Sequence, residues 1–156
     1  MIDKRLAEIT DCLYRVAVKA LIVREGKLLI SKEEEKQLSD LNLHGIPGGG
    51  VDYGENFQQG LIRELREELK LELLPSQIEE QPVKVSFGEL ADGRFAGDRN
   101  VPTVLFYFPV RLLDNQQPVA GENGFEWADA AELQTVNFVS QTAVDREFLI
   151  EFLNNY

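Results

Sequence analysis

Three glutamates near the middle of the chain, Glu64, Glu67 and Glu68, stand at the i, i+3, i+4 spacing that brings side chains onto one face of a helix. With Phe57 set at zero and about 100° added per residue, they project at roughly 340°, 280° and 20°. Phe57, Leu61, Ile62, Leu65 and Leu69 fill the arc from roughly 0° to 140°, so the acidic stripe runs along the edge of an apolar face. Carboxylates so placed repel one another by about 0.2–0.5 kcal/mol per pair when solvated. The cost rises beside a core wall, where charge is poorly hydrated. One reading is a plain charged helix face relieved by Arg63 and Arg66. Arg66, however, projects at about 180° and relieves little. A hard cation relieves the stripe better, and carboxylate oxygens without histidine or thiolate suit Mg²⁺, with Mn²⁺ as a substitute, over zinc.

The segment GIPGGGVDYGEN (45–56) precedes this helix. Gly48, Gly49 and Gly50 allow the backbone to approach a ligand closely, and a carbonyl there can complete an oxygen coordination sphere. Alone, a glycine run is an ordinary turn; at a fixed distance from an acidic helix it gains meaning. Asn56 is a candidate N-cap with Gln59 three residues on, as in a capping box, so the helix is expected over 57–69. Gly60, one turn before Glu64, serves either tight packing or room for a ligand.

Other elements must hold these pieces in place. RVAVKALIV (15–23), the Glu25-Gly26 turn and KLLIS (27–31) read as a β-hairpin, with Val16, Val18, Ala20 and Ile22 on one face. Residues 2–13 could form a short amphipathic helix, and 31–42 a solvated loop. VKVSFGEL (83–90) alternates Val83, Val85 and Phe87 and reads as a strand. VPTVLFYFPVRLL (101–113) reads as a central strand buried on both faces, with Pro109 marking a bulge or edge near its end. FEWAD (125–129) is a short strand. SQTAVDREFLIEFLNN (140–155) is a closing helix whose apolar stripe is Val144, Phe148, Leu149 or Ile150, and Phe152. Strands and helices alternate in the order of an α/β or α+β domain with a mixed sheet.

Composition narrows the partners. The 156 residues fit one domain, 1–156, with 1–14 as an N-terminal extension. A net charge of −11 repels phosphate backbones and anionic lipid, so neither nucleic acid nor membrane is expected as a partner. An anionic small molecule would need an added cation. One cysteine, Cys12, excludes an intramolecular disulfide and fits a cytoplasmic setting. One histidine, His44, excludes a multi-histidine zinc cluster. No run of 18 apolar residues is present, and MIDKRLAEIT lacks the apolar core of a secretory signal.

Gly49, Glu55, Arg63, Glu64, Leu65, Glu67, Glu68 and Leu71 together resemble the Nudix box, G-x5-E-x7-R-E-U-x-E-E-x-G-U with U apolar. Eight of its nine fixed positions match over residues 49–71, and Ile46-Pro47-Gly48 resembles the family's entry to the loop. Lys70 stands where the pattern has a glycine; either it accepts a left-handed conformation or the helix runs on. The resemblance implies an α/β fold, an α/β/α sandwich around a mixed sheet. It also implies metal-dependent hydrolysis of the pyrophosphate linkage of a nucleoside triphosphate or of a metabolite joined to a nucleoside diphosphate. By the same resemblance, Glu64, Glu67, Glu68 and the Gly48 carbonyl correspond to the metal ligands. Glu55 and Arg63 correspond to a pair locking loop to helix. His44 falls where the family often has an aromatic residue, which favours a structural role over a substrate contact.

The implied mechanism needs a general base. Glu64 is one candidate, Glu126 in Phe125-Glu126-Trp127 a second, and Glu122 in the preceding loop a third. Gly49 and Gly50 are expected to face substrate, and Arg94, Phe95 and Arg99 in the turn at 91–100 could pair or stack with it. The expected partner is a small-molecule nucleotide or nucleoside diphosphate derivative, with a homodimer left open. The alternative is a non-hydrolytic nucleotide-binding sensor of the same fold. An isoprenoid-diphosphate isomerase would need a cysteine near the site, and Cys12 precedes the first strand. Ser86, Phe87 and Gly88 carry neither the proline of the ADP-ribose subgroup nor the tyrosine of the dinucleoside-polyphosphate subgroup.

Overall fold

The computed structural model describes residues 14–32, 42–90, 101–121 and 124–156. The expectations for residues 2–13 with Cys12, for 33–41, for Arg94, Phe95 and Arg99, and for Glu122 lie outside the described residues. The strands are β1 (Arg15–Arg24), β2 (Lys27–Lys32), β3 (His44–Gly45), β4 (Gly48–Gly50), β5 (Lys84–Leu90), β6 (Val101–Val110) and β7 (Phe125–Ala128). The helices are α1 (Phe57–Leu69), α2 (Ala130–Thr135), α3 (Ser140–Ala143) and α4 (Arg146–Asn155), with a 3-10 turn at Pro75–Gln77. Among the described residues no helix is long and apolar enough to cross a membrane.

The seven strands among the described residues belong to one mixed sheet. Its main path runs β3-β2-β1-β6-β5, with β4 joined to β1 and β7 to β2. β1 and β6 pair in parallel from Arg15↔Thr103 to Ile22↔Val110, and the other pairs are antiparallel. The hairpin turn follows from Glu25 and Gly26, both at positive φ (51° and 73°), which matches the twist of the flanking strands.

β1 is buried on both faces, more than its alternation of Val16, Val18, Ala20 and Ile22 implied. Val18, Ala20 and Ile22 pack with Leu29, Phe108 and the α1 leucines; Ala17 and Leu21 pack with Leu105, Tyr107, Leu133, Leu149 and Leu153. The sheet is therefore covered by α1 on one face and by α2 and α4 on the other. Leu61, Leu65 and Leu69 are at most 1% exposed, and burying each contributes about 1.5–3 kcal/mol. β6 is central, as expected, but ends at Val110. Pro109 lies beyond the start of β5, where the missing N–H breaks no β5 pairing.

One expectation needs correction. The closing helix is broken: α3 stops at Ala143 and α4 begins at Arg146. Asp145 turns inward between them and accepts hydrogen bonds from Ser86 Oγ and Tyr107 Oη, both at 2.8 Å. Val144 is consequently exposed at 68%, and the buried stripe is Leu149 and Leu153, flanked by Phe148, Ile150 and Phe152. The strand expected at 83–90 forms as β5, and Val83, just before it, with Val85 and Phe87 marks one exposed face (48%, 42% and 67%). The buried side chain is Ser86.

Candidate active site

The sequence builds α1 with defined ends. The Asn56 side chain accepts from the Gln59 N–H at 2.8 Å while the Gln59 side chain accepts from the Asn56 N–H at 2.9 Å. Such a cap contributes about 1 kcal/mol. At the other end Lys70 adopts the left-handed conformation (φ 54°, ψ 30°), so the helix stops where the box glycine would stop it. The stripe therefore begins and ends in fixed register.

β4 brings the glycines to the helix. It pairs with β1 through Ala17↔Gly50, Val18↔Gly49 and Lys19↔Gly48, so part of the expected loop is a strand. The Gly48 N–H donates to Glu68 Oε2 at 3.0 Å, and the Gly48 carbonyl accepts from Lys19 Nζ at 3.1 Å. Gly49 has no room for a side chain: a Cβ there would lie 2.6 Å from the Glu64 carboxylate. A Cβ on Gly60 would lie 3.2 Å from Glu55 Oε2 and 3.4 Å from Val51, which favours the tight-packing reading of that glycine.

Arg63 is the hub of the cluster. Its guanidinium donates to Glu55 Oε1 (2.7 Å) and Oε2 (3.0 Å), to Glu64 Oε1 (2.8 Å) and to the Gly50 carbonyl (2.8 Å). Asp52 and Glu67 stand at 3.4 and 3.6 Å. The Arg63 hydrogen bond, then the Asp52 N–H, hold the Glu55 carboxyl down at about 2, and the same carboxylates push the guanidinium further up. Arg66 points away, as its helical angle implied, and pairs with Glu72 at 2.9 Å.

Glu126 belongs to a second cluster. Its oxygens stand 2.9 Å from Lys32 Nζ and 3.3 Å from His44 Nε2, and the Lys32 hydrogen bond is the main cause of its lowered pKa. His44 is 2% exposed, with Nδ1 3.1 Å from the Asn42 carbonyl. Its long Nε2 approach to Glu126 falls short of a well-formed hydrogen bond. Burial fits the structural reading of His44.

The described residues thus gather Glu55, Arg63, Glu64, Glu67, Glu68, Gly48, Gly49 and Gly50 in one place, and Glu126 with Lys32 and His44 in another. Sequence reasoning passed over Lys19, which looks like a lone polar residue in an apolar strand. It passed over Arg15, whose guanidinium would lie 3.2 Å from a Cβ on Gly50. Gly121 lies in the loop before β7. Its N–H donates to the Glu68 carbonyl at 2.8 Å, and a Cβ there would lie 2.1 Å from the Glu67 carbonyl, so this end of the loop is fastened to the end of α1. A separate groove of about 930 Å³, lined by Gln59, Pro75, Glu79, Pro109 and Arg111 among others, contains none of the box glutamates.

The model of the NUDIX domain matches residues 13–152. The chain belongs to the Nudix hydrolase family. A Mycobacterium tuberculosis protein named "Putative 8-oxo-dGTP diphosphatase 2" is 31% identical over 133 residues, covering 81% of this chain and 82% of that protein. The CTP pyrophosphohydrolase of Escherichia coli is 42% identical over 55 residues, 35% of this chain; the match spans 40% of that enzyme's length. Among solved structures, the E. coli dihydroneopterin triphosphate pyrophosphohydrolase superposes with a TM-score of 0.70 at 19% identity. That match covers 92% of this chain and 99% of that one, and it supports the shared α/β/α fold. For this Nudix hydrolase the box is the natural place to look for chemistry.

Whether the residues fit a metal is a question of donors. Gly48 O and the carboxylates of Glu64, Glu67 and Glu68 are all hard oxygen donors, and the bare Gly49 leaves the Glu64 carboxylate its space. Among the described residues, no three acidic, histidine or cysteine side chains are already placed to hold a metal ion. Instead Arg63 holds Glu64, and the Gly48 N–H holds Glu68. The donor set fits a hard divalent cation, with Arg63 and Lys19 supplying positive charge in its absence.

Proposed function

We propose that this Nudix hydrolase cleaves the pyrophosphate linkage of a nucleoside triphosphate or of a metabolite linked to a nucleoside diphosphate, and that it depends on Mg²⁺, with Mn²⁺ as a substitute. The observation that carries this reading is the Arg63-centred cluster. It packs the box carboxylates against the Gly48–Gly50 strand with four carboxylates, Asp52, Glu55, Glu64 and Glu67, sharing one guanidinium. The negative charge left over is what a divalent cation would balance. Glu64, Glu67, Glu68 and the Gly48 carbonyl are the residues that would hold it. A divalent cation there would offset the charge of an anionic diphosphate and make water more acidic.

The chain's own residues have separable tasks in this proposal. Glu55 and Arg63 fix the loop to α1 and so hold Gly48–Gly50 beside the glutamates. Gly49 and Gly50 let a phosphate approach the backbone, with Arg15 alongside. For the proton acceptor the choice lies between Glu64 and Glu126. Glu126 is tied to Lys32, which lowers its pKa and weakens it as a base. Arg63 ties Glu64 in the same way, so charge does not separate the two; position supports Glu64, which stands against Gly49 among the box carboxylates, while Glu126 belongs to the cluster of Lys32 and His44. The pH–rate profiles of Glu126→Gln and Glu64→Gln at saturating Mg²⁺ separate the two. Loss of the acidic limb is expected only in Glu64→Gln, and its loss only in Glu126→Gln returns the role to Glu126.

The proposal as a whole is tested by phosphate or pyrophosphate release from a panel of nucleoside triphosphates and NDP-linked metabolites, with and without Mg²⁺. Release that needs the metal and is lost in Glu68→Gln is the expected result. Tight nucleotide binding without release from any member of the panel would instead identify a sensor module.

A further inference from the structure

The Gly48 carbonyl, assigned above as a metal ligand, already has a cation on it. Lys19 stands opposite Gly48 in the β1–β4 register, and its Nζ donates to that oxygen at 3.1 Å. The other side of the same residue is also engaged, since the Gly48 N–H donates to Glu68 Oε2 at 3.0 Å. One residue of β4 thus joins an ammonium from β1 to a box carboxylate from α1. We infer that Lys19 is a built-in stand-in cation: it occupies the Gly48 side of the metal position while the site is empty, and a divalent ion must displace it to bind. This rests on the metal reading of the box proposed above.

Electrostatics gives the inference its direction. A carbonyl oxygen has two lone pairs, so geometry alone would let it accept from Lys19 and bind a metal together. Charge opposes that. Two unit charges about 4 Å apart at a protein surface repel by about 4 kcal/mol at an effective dielectric of 20, and a divalent ion doubles the figure. A lysine has four flexible bonds and a well-hydrated head, so it can swing away at far lower cost than that repulsion. Binding is therefore an exchange of one cation for another. Lys19 holds the Gly48 carbonyl in place before metal arrives and weakens metal affinity as a consequence. Arg63 is held on the far side by Glu55 and the Gly50 carbonyl.

The test measures metal binding directly. Mn²⁺ affinity is determined by calorimetry and by the spin-resonance signal of free Mn²⁺, without substrate, for the wild type, Lys19→Met and Lys19→Gln. Melting temperatures are recorded in parallel in chelator and in excess Mg²⁺. Both variants are expected to bind Mn²⁺ about tenfold more tightly, that is about 1.4 kcal/mol. They should melt lower than wild type in chelator and gain more from Mg²⁺. If Lys19→Met does not fold, Lys19→Gln, which keeps a donor for the Gly48 carbonyl but no charge, carries the test. Mn²⁺ affinity that is unchanged or weaker in the variants overturns the inference while leaving the metal site standing. Absence of Mn²⁺ binding to the wild type overturns the metal reading and the inference with it.

Discussion

Arg63 and Asp145 are hubs of two charged clusters in opposite layers of the molecule, and they are built by opposite rules. Arg63 is one cation among four carboxylates and a carbonyl, its side chain about a quarter exposed (24%), so that Asp52, Glu55, Glu64 and Glu67 share a single guanidinium. Asp145 is one anion 4% exposed, held by two neutral hydroxyls, Ser86 and Tyr107. Burial, then the nearby Asp145 charge, pushes the Tyr107 hydroxyl well above its usual range, so it remains a donor at any working pH. The second cluster is self-contained, and the first, on the function proposed above, is completed by added positive charge. A cluster that satisfies itself serves the fold. One with more carboxylates than cations beside a glycine strand is, in our proposal, placed for a ligand.

If that distinction holds, neutralising the open cluster should damage activity and spare folding. Glu67→Gln and Glu68→Gln are each expected to cut Mg²⁺-dependent turnover by at least about a hundredfold, equivalent to about 2.7 kcal/mol of barrier. Both should fold normally, and relief of like-charge repulsion should leave the metal-free melting temperature unchanged or raised. Near-normal turnover in both would remove these residues from the metal site.

Arg63→Ala should damage both properties, because Arg63 ties the loop to the helix as well as balancing charge. Turnover should fall at least about tenfold, and the melting temperature by about 3 °C or more at pH 7. The acid response separates this from a general packing loss. The Glu55 carboxyl is held at about 2 in the folded protein against 4.5 ordinarily, so its stabilisation is complete above about 4.5 and is lost as pH falls toward 2. Arg63→Ala should therefore be less acid-sensitive than wild type across that window. Parallel melting curves of the two proteins from pH 6 to pH 3 would show Arg63 to be unimportant to Glu55.

The closed cluster should answer in the reverse way. Tyr107→Phe removes one of two donors to a buried carboxylate, which costs about 1–3 kcal/mol. A lowered denaturant midpoint with turnover per folded molecule within about twofold of wild type is expected. A hundredfold loss of turnover at unchanged stability would move Asp145 into the site.

The two clusters also differ in how far they could be read from the sequence. The open one was largely legible, since its parts lie within 24 residues of chain and α1 declares itself by period and by the Asn56–Gln59 cap. The closed one was not, because Ser86 and Tyr107 lie 59 and 38 residues from Asp145, and without them 140–155 has the pattern of one helix. Lys19 escaped for the same reason, its partner being 29 residues away. β4 has no side chains to alternate, so Gly48–Gly50 could be read only as a loop. α2 is too short for periodicity, though Asp129 and Glu132 form a capping box that marks its start. Local rules with a repeating signal were readable; single long-range contacts were not.

Lys70 offers the smallest test and the most delicate sign. It lies between the two glutamates of the open cluster and the Leu71 core position, and it holds φ 54° where glycine would be unstrained. A non-glycine residue in this conformation costs about 1 kcal/mol, so Lys70→Gly relieves strain in the folded state. Glycine also loosens the unfolded chain, which offsets about 0.4–1 kcal/mol of that gain. Lys70 is exposed, so its side chain contributes little packing to lose. The remainder is a stabilisation of about 0.5 kcal/mol or less, a rise of one to two degrees at about 2–4 °C per kcal/mol. Removing a positive charge beside the acidic cluster works against even this in the metal-free protein. The rise should therefore be larger in Mg²⁺, where the cluster is neutralised, than in chelator. A clear fall in melting temperature in chelator that reverses in Mg²⁺ would mean that Lys70 serves the cluster by its charge and that the open cluster extends past the end of α1, whereas a fall under both conditions would mean that the left-handed strain is smaller than the backbone freedom glycine adds.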